Sequence, residues 1–481
     1  MTTAEQERKT RVHAFGDDAL ADHDAVGLAE EIRARRISPA EAVEAAIARI
    51  ETVNPDLNGL ACPDFDRARA RANGPLAGFF AGVPTLVKDN SDVAGLPTQQ
   101  GCSAYVGRPA AQDGDFARAF FGQGVVSLGK SQLSEFGFSA SAEFASPKGG
   151  SADPVRNPWN TGYSSGASSA GAGVFVASGA VPLAHANDGG GSIRIPAGVN
   201  GLVGLKPTRG RVPQDKMLRE MPVRIVADGV VTRTVRDTAA FLRESEKQYR
   251  NLKLPPIGDV RGPGTKRLKI AMVIDSIGDV RTDPEVAAAV RETAALLESL
   301  GHHVEEIPAP VPDFFIDDFL AYWSTLATFI LATGKRTFGP SFDKALTDNL
   351  SRGLARHGRR QAWRLPVTIA RLHASQHVSR RFFTTYDAAL TPVLVTPTPE
   401  LGWLNPAQPY EVVIDRLVRM ARFTPLQNAT GDPAVSLPMA TGSNGLPIGV
   451  QLAAGRGHES RLLELAFELE EARPFARITD G

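Results

Sequence analysis

The sequence predicts an α/β protein, and three observations carry that prediction. Short apolar runs bounded by Gly and Pro recur along the chain, as in GVPTLVKDN, VVSLGK, VPLAHAND and GLVGLKPT. Such runs fit buried strands, and the helix-like stretches between them fit crossovers. Hydrophobic residues make up 42% of the 481 and charged residues 22%, so the chain can fill a large core and is not disordered. It shows no internal repeat and no low-complexity linker that would divide it.

Taken in order, the first twenty residues, MTTAEQERKTRVHAFGDDAL, are polar and charged where a signal peptide needs an apolar run, so export is not expected. Residues 1–24 are read as an arm. The first clear helix starts at Ser38, an N-cap followed by Pro39 at the first helical position and Glu41 three residues after the cap. Val43, Ile47 and Ile50 recur at helical spacing and mark its buried face. Ala170 to Ala186 is apolar but short and interrupted by Ser178, Pro182 and His185, so it reads as a buried helix followed by a strand rather than a membrane span. The stretch KLPPIGDVRGPGTKR is the most linker-like piece and fits a surface loop equally well. KIAMVI then reads as a strand, and Asp283 caps a helix starting at Pro284 with Val286, Val290, Leu297 and Leu300 on its buried face. Gly301 ends that helix before the strand HHVEEI. From Phe314 to Trp363 the pattern is helical and aromatic, suited to core packing or to a pocket wall.

Charge and cysteine usage exclude several functions. Lys plus Arg and Asp plus Glu number 53 each, which leaves no global field to gather nucleic acid or an acidic membrane. A small neutral partner fits better. Cys62 and Cys102 form no disulfide ladder, CxxC or zinc spacing, so a reducing, cytoplasmic setting is expected. No metal set emerges, and no cofactor is called for.

Chemistry concentrates in three segments. In HANDGGGSIRIPA, Gly189, Gly190 and Gly191 leave successive backbone N–H groups uncovered beside Ser192, the makeup of an oxyanion hole next to a nucleophile. A tight glycine turn with a capping serine would read the same. GYSSGASSAGAG contains Ser168 in a run small enough for close backbone approach, and no GK[ST] follows to make it a P-loop. Lys88 ends the apolar run VPTLVK, where burial would disfavour its ammonium form and turn it into a base. Taken alone, it fits a strand-end lysine whose head reaches solvent.

NPWNTGYSSGASSAGAG followed by VPLAHANDGGGSIRIPAGVNGLVGLKPTRGRVP resembles the signature segment of the amidase signature family. VPTLVKDN resembles its lysine segment and PLQNATGDPAVSLPMATGSNGLPIGVQL its C-terminal region, so the likeness covers roughly residues 25 to 475. The resemblance implies one α/β/α layered domain over 25–481 with a large mixed central sheet, in which 310–390 is a mainly helical, aromatic-rich segment lining the substrate pocket. It also implies a Ser-Ser-Lys triad: Ser192 as nucleophile, Ser168 as the relay serine with a cis peptide bond, and Lys88 as base. The backbone of Gly189 to Gly191 would sit at the oxyanion, with Ser169, Asp188 and Arg194 in support. The family's GGSSGG core stands here as Gly166-Ala167-Ser168-Ser169-Ala170-Gly171, two glycines having become alanine.

The expected activity is hydrolysis of an aryl, alkyl or cyclic oligoamide through an acyl-enzyme, and the overall sequence looks most like bacterial general amidases and members acting on 6-aminohexanoate cyclic amides. The acyl pocket is expected around Phe314 to Trp363 and Trp403. The partner is a small-molecule amide, with a homodimer entertained and neither nucleic acid nor membrane expected. One alternative is the ammonia-delivering A subunit of a tRNA-dependent amidotransferase; where that subunit carries an aspartate seven residues before its NxxGxP asparagine, this chain has Ala421 before Asn428. Another is an α/β-hydrolase-type esterase using Ser164 in GYSSG, although the preceding DPVRNPWNT is no buried strand. Lys206 reads as scaffold rather than a second base.

Overall fold

The computed structural model describes residues 10–145, 151–276, 278 and 280–480. After helix α1 (Ala25–Arg33) comes α2 (Pro39–Leu57), which begins with the predicted capping box: Ser38 Oγ accepts from the Glu41 N–H, and the Glu41 carboxylate accepts from Ser38. Its apolar side, including Val43, Ile47 and Ile50, is buried in the main core.

Strands β1 (Leu60–Pro63), β2 (Pro84–Lys88) and β3 (Val126–Ser131) form a small sheet in the order β1-β3-β2, with β2 parallel to β3. The chain then enters α3 (Ala170–Ala177) and β4 (Leu183–Asp188), the helix and strand predicted for the long apolar stretch. Helix α4 (Arg194–Asn200), strands β5 (Val203–Lys206) and β6 (Ala227–Thr232), and helix α5 (Val235–Gln248) follow. The linker-like stretch after α5 is a loop of the same domain: Leu254 and Ile257 are buried, and Arg211 Nη1 donates to the Pro255 carbonyl at 2.8 Å. Strand β7 (Lys269–Met272), helix α6 (Pro284–Ser299) capped by Asp283, and β8 (His303–Glu306) match the predicted unit.

A mainly helical segment comes next: α7 (Phe315–Phe338), α8 (Asn349–Arg360) and α9 (Leu365–Thr385). Among the described residues α7 is the one helix long and apolar enough to cross a membrane; here it packs against α8 and α9. The chain closes with β9 (Ala388–Pro392), α10 (Tyr410–Met420), α11 (Pro425–Thr430), β10 (Ala434–Thr441), β11 (Pro447–Ala454) and α12 (Glu459–Ala472).

The central sheet has eight strands in the order β8-β7-β9-β11-β10-β5-β6-β4. Strand β7 runs parallel to β8 and β9, and every other neighbouring pair is antiparallel. The sheet is therefore mixed. Helical crossovers predict parallel pairing, and within this sheet such a crossover joins neighbouring strands only where α6 links β7 to β8. Helices α5, α6 and α12 pack together as one layer and α3 with α4 as another. Strand β2 lies beside the edge strand β4, and this junction positions the site: Thr85 Oγ1 donates to the Leu183 carbonyl at 3.0 Å, and the Lys88 N–H donates to His185 Nδ1 at 3.2 Å.

Candidate active site

Lys88 is the last residue of β2 and is fully buried. Its backbone is held by His185, whose ring stacks on Phe116 at 4.4 Å and whose Nε2 lies 3.3 Å from Asp228 Oδ1. Because Nδ1 accepts the Lys88 N–H, the ring proton belongs on Nε2, facing that carboxylate. Burial lowers the His185 pKa, so this histidine is a neutral strut.

The Lys88 side chain reaches four oxygens. Nζ lies 2.8 Å from Ser168 Oγ, 2.9 Å from Ser169 Oγ, 2.8 Å from Asn187 Oδ1 and 3.3 Å from the Asn187 carbonyl. Burial lowers its pKa from 10.5 to about 7, although the Asp188 and Asp228 carboxylates pull the other way. Asp89 is next in sequence, but its carboxylate pairs with buried Lys130 at 3.1 Å. No acid in contact holds the charge on Lys88.

Asn90 and Asn187 exchange amide hydrogen bonds at 3.1 and 3.2 Å, with Asn187 Oδ1 turned toward Lys88. Ser169 Oγ donates to the Asn187 carbonyl at 3.2 Å. Nζ thus faces three close acceptors, Ser168 Oγ, Ser169 Oγ and Asn187 Oδ1, and in the neutral amine, which has two N–H donors and one lone pair, one of these contacts falls to the lone pair.

The Ala167–Ser168 peptide is cis, and Ser169 stands at the N-cap position of α3 without a side-chain capping bond. The backbone opposite is glycine for a steric reason: a Cβ on Gly137, at φ +75°, would lie 3.2 Å from Ser168 Oγ. The two alanines of the signature run sit quietly, Ala167 and Ala170 both fully buried in the main core.

Ser192 lies in the bend between β4 and α4 and is 7% exposed. Asp188 organises that bend: it accepts from the Gly191 N–H at 2.7 Å, from the Ile193 N–H at 3.2 Å and from Arg194 Nε and Nη2, both at 2.9 Å. Burial pushes the Asp188 carboxyl up, but the paired Arg194 guanidinium outweighs it and holds the group well below the usual carboxylate range. Arg194 in turn donates to Gln427, Asn428 and Gln451 at 2.7 to 2.9 Å. Gly191 has φ +131°, and a Cβ there would meet Thr424 Oγ1 at 2.4 Å, so only glycine fits. Its N–H is spent on Asp188. Among the described residues the N–H groups of Gly189, Gly190 and Ser192 find no acceptor. Thr424, absent from the sequence reading, donates its hydroxyl to the Gly190 carbonyl at 2.6 Å.

Ser192, Gly190 and Ala167 line one cavity of about 630 Å3, its mouth included. Its other walls are apolar: Phe319, Leu320 and Trp323 from α7, and Leu417, Val418 and Ala421 at the end of α10. No charged residue lines it. Part of the aromatic segment is elsewhere. Trp363 is 79% exposed, Phe329 is exposed, and Trp403 packs with Leu404 under the Arg416 guanidinium.

The competing serines and lysine are tied up. Ser164 Oγ donates to Ser141 Oγ at 2.8 Å and Ser165 Oγ to the Val155 carbonyl at 2.9 Å, both buried. Lys206 Nζ donates to the Pro207 carbonyl at 2.9 Å, and burial with the nearby Arg194 charge lowers its pKa to about 7. Among the described residues there is no His/Cys/Asp/Glu group suited to a metal ion.

A mixed-sheet α/β fold with a buried lysine touching two serines beside a glycine-rich bend defines the class of a hydrolase, and the comparisons name the family. The family model "Amidase" matches residues 41–463, and the chain belongs to that family. It is 56% identical over 472 residues to "Putative amidase AmiC" of Mycobacterium leprae, covering 98% of this chain and 99% of that protein. It is 34% identical to a 6-aminohexanoate-cyclic-dimer hydrolase of Paenarthrobacter ureafaciens, covering 94% and 95%. A solved structure of 6-aminohexanoate cyclic dimer hydrolase complexed with substrate superposes with a TM-score of 0.84 at 30% identity, over 96% of this chain and 99% of that one. The protein is an amidase, a hydrolase acting on carbon–nitrogen bonds of carboxylic acid amides through an acyl-enzyme.

Proposed function

We propose that Ser192 is the nucleophile, Ser168 the proton relay and Lys88 the base, and that the substrate is an amide with an uncharged, apolar acyl group. The observation that carries this reading is the buried Lys88 amine, with a pKa near 7, in hydrogen-bond contact with Ser168 Oγ at 2.8 Å. Ser192 Oγ bonds to the amide carbon while its proton passes to Ser168, whose own proton passes to Lys88 Nζ. The carbonyl oxygen becomes an oxyanion. In this reading the free N–H groups of Gly190 and Ser192, with that of Gly189, receive it, and such a donor is worth on the order of 3 kcal/mol. The Gly191 N–H contributes instead by fixing the bend through Asp188.

Lys88 then returns its proton through Ser168 to the nitrogen, and the carbon–nitrogen bond breaks. Water attacks the Ser192 ester, gives its proton to the same relay, and the acid leaves as Ser192 regains its hydrogen. Ser169, Asp188 and Arg194 hold these groups in place.

The apolar walls support the substrate class. A carboxylate or ammonium on the acyl group would be desolvated without a partner there. Ala421 lines this cavity, so the position that would carry an aspartate in the amidotransferase subunit offers only a methyl group. The pocket role of 310–390 rests on α7, which supplies Phe319, Leu320 and Trp323. The reading keeps a cytoplasmic setting, in which the free Cys62 and Cys102 stay reduced. Light scattering on the purified protein decides between monomer and homodimer.

Peptide mass spectrometry after exposure to a fluorophosphonate tests the assignment. The expected adduct is on Ser192 and is lost in Lys88→Ala; an adduct on Ser164, or labelling that survives Lys88→Ala, overturns it.

A further inference from the structure

A second, larger apolar cavity of about 1220 Å3, mouth included, lies outside the catalytic one. Its walls come from the start of α7, from α9 and from the segment leading into α11, with Phe314, Phe315, Phe382, Phe383 and Phe423 as the main surfaces. Arg371 and Arg422 line it together with Asp432. Asp432 accepts a hydrogen bond from Ser379, and Arg371 lies 3.5 Å from Asp318 and over the Phe314 ring at 4.2 Å.

The two cavities adjoin, and Ile316 lines both. Along the segment entering α11 the lining alternates: Ala421 and Pro425 face the catalytic cavity, while Arg422, Phe423 and Leu426 face the other. At α7 the partly exposed Ile316 is the residue common to both linings, and its side chain occupies staggered rotamers between which it can swing.

We propose that the second cavity binds the distal part of a long, uncharged acyl chain whose amide end lies at Ser192, and that Ile316 is the residue that sets how far the chain reaches. The inference rests on the amidase reading of Ser192 and adds the substrate class: amides of extended aliphatic acids, or of acids ending in an aryl group. Mainly apolar, aromatic walls reward each buried methylene, whereas the catalytic cavity alone accommodates a short acyl group.

The test is a series of acyl anilides from butanoyl to dodecanoyl, hydrolysed by the full-length enzyme. Wild type is expected to show KM falling along the whole series. Two variants plug the second cavity from α9, Ser375→Trp in its wall and Val378→Trp at its half-exposed edge. Each is expected to lower the dodecanoyl-to-butanoyl ratio of kcat/KM by about tenfold or more, with the change in KM rather than kcat. Ile316→Ala is expected to raise that ratio and Ile316→Trp to lower it. A ratio unmoved by both α9 variants overturns the proposal, as does a wild-type KM that stops falling at short acyl length. Failure of the underlying reading looks different: no anilide is cleaved and Ser192 takes no fluorophosphonate.

Discussion

At the scale of single residues, the proposed mechanism depends on a lysine that works without its charge. Lys88 is surrounded by oxygens, yet the acids that would hold its proton are paired elsewhere, Asp188 with Arg194 and Asp89 with Lys130. Burial therefore dominates and brings the pKa to about 7. In the proposed relay the amine carries a proton below pH 7 and has no lone pair for Ser168; above pH 7 it can accept one. We expect kcat/KM for a neutral anilide to rise tenfold per pH unit on the acid side and to level off above about pH 7. The Asp228 carboxylate raises the Lys88 pKa, so Asp228→Asn is expected to move this limb to lower pH. A limb that stays in place or moves upward would separate the pH dependence from Lys88.

At the scale of elements, the candidate site is a junction between two sheets. In the proposed mechanism strand β2 brings the base, β4 and its bend bring the nucleophile, and the residues before α3 bring the relay serine. Strands β2 and β4 are joined through side chains, and the Lys88 N–H to His185 Nδ1 bond is one of the few ties. The sequence offers His185 as a packed core residue, and the structure agrees, but it also gives that residue a positioning role. In His185→Phe the stack on Phe116 survives and the acceptor is lost. We expect kcat to fall on the order of tenfold to a hundredfold with KM little changed, since small displacements of a reacting group carry such costs. A purely structural role would instead appear as a lower melting temperature with kcat intact.

At the scale of the whole molecule, Arg194 is the point where distant parts of the chain meet. It is fully buried and binds Asp188 at the end of β4, Gln427 and Asn428 in α11, and Gln451 in β11. Asn428 closes the ring by donating to the Asp188 carboxylate and carbonyl at 2.8 Å. Removing one partner of a buried ion pair strands the other charge, typically at about 3 to 5 kcal/mol. Asp188→Asn is therefore expected to lower unfolding free energy in denaturant by that order, and to slow fluorophosphonate labelling because the Ser192 bend loses its anchor. A variant as stable as wild type would show that the surrounding amides alone satisfy Arg194.

The sequence by itself determined the elements and the reacting groups. Local signals suffice for these: the Ser38 capping box, the Asp283-Pro284 helix start, and the apolar runs that became β2, β3, β4 and β5 are all properties of adjacent residues. The family likeness in turn marked Lys88, Ser168 and Ser192. Only the tertiary structure decided which partners each group has. Asn187 sits beside Asp188 in the chain, but nothing in that adjacency shows its carbonyls turned to Lys88. The run of glycines suggests Gly191 as an oxyanion donor, and the fold spends its N–H on Asp188. Of the tryptophans expected at the pocket, the fold leaves Trp363 in solvent and packs Trp403, under Arg416, on the apolar cluster that includes the cavity residues Trp323 and Leu417. Propensity and pattern act between neighbours along the chain, whereas hydrogen-bond partners, cavities and desolvation are set by residues hundreds of positions apart that share one small volume.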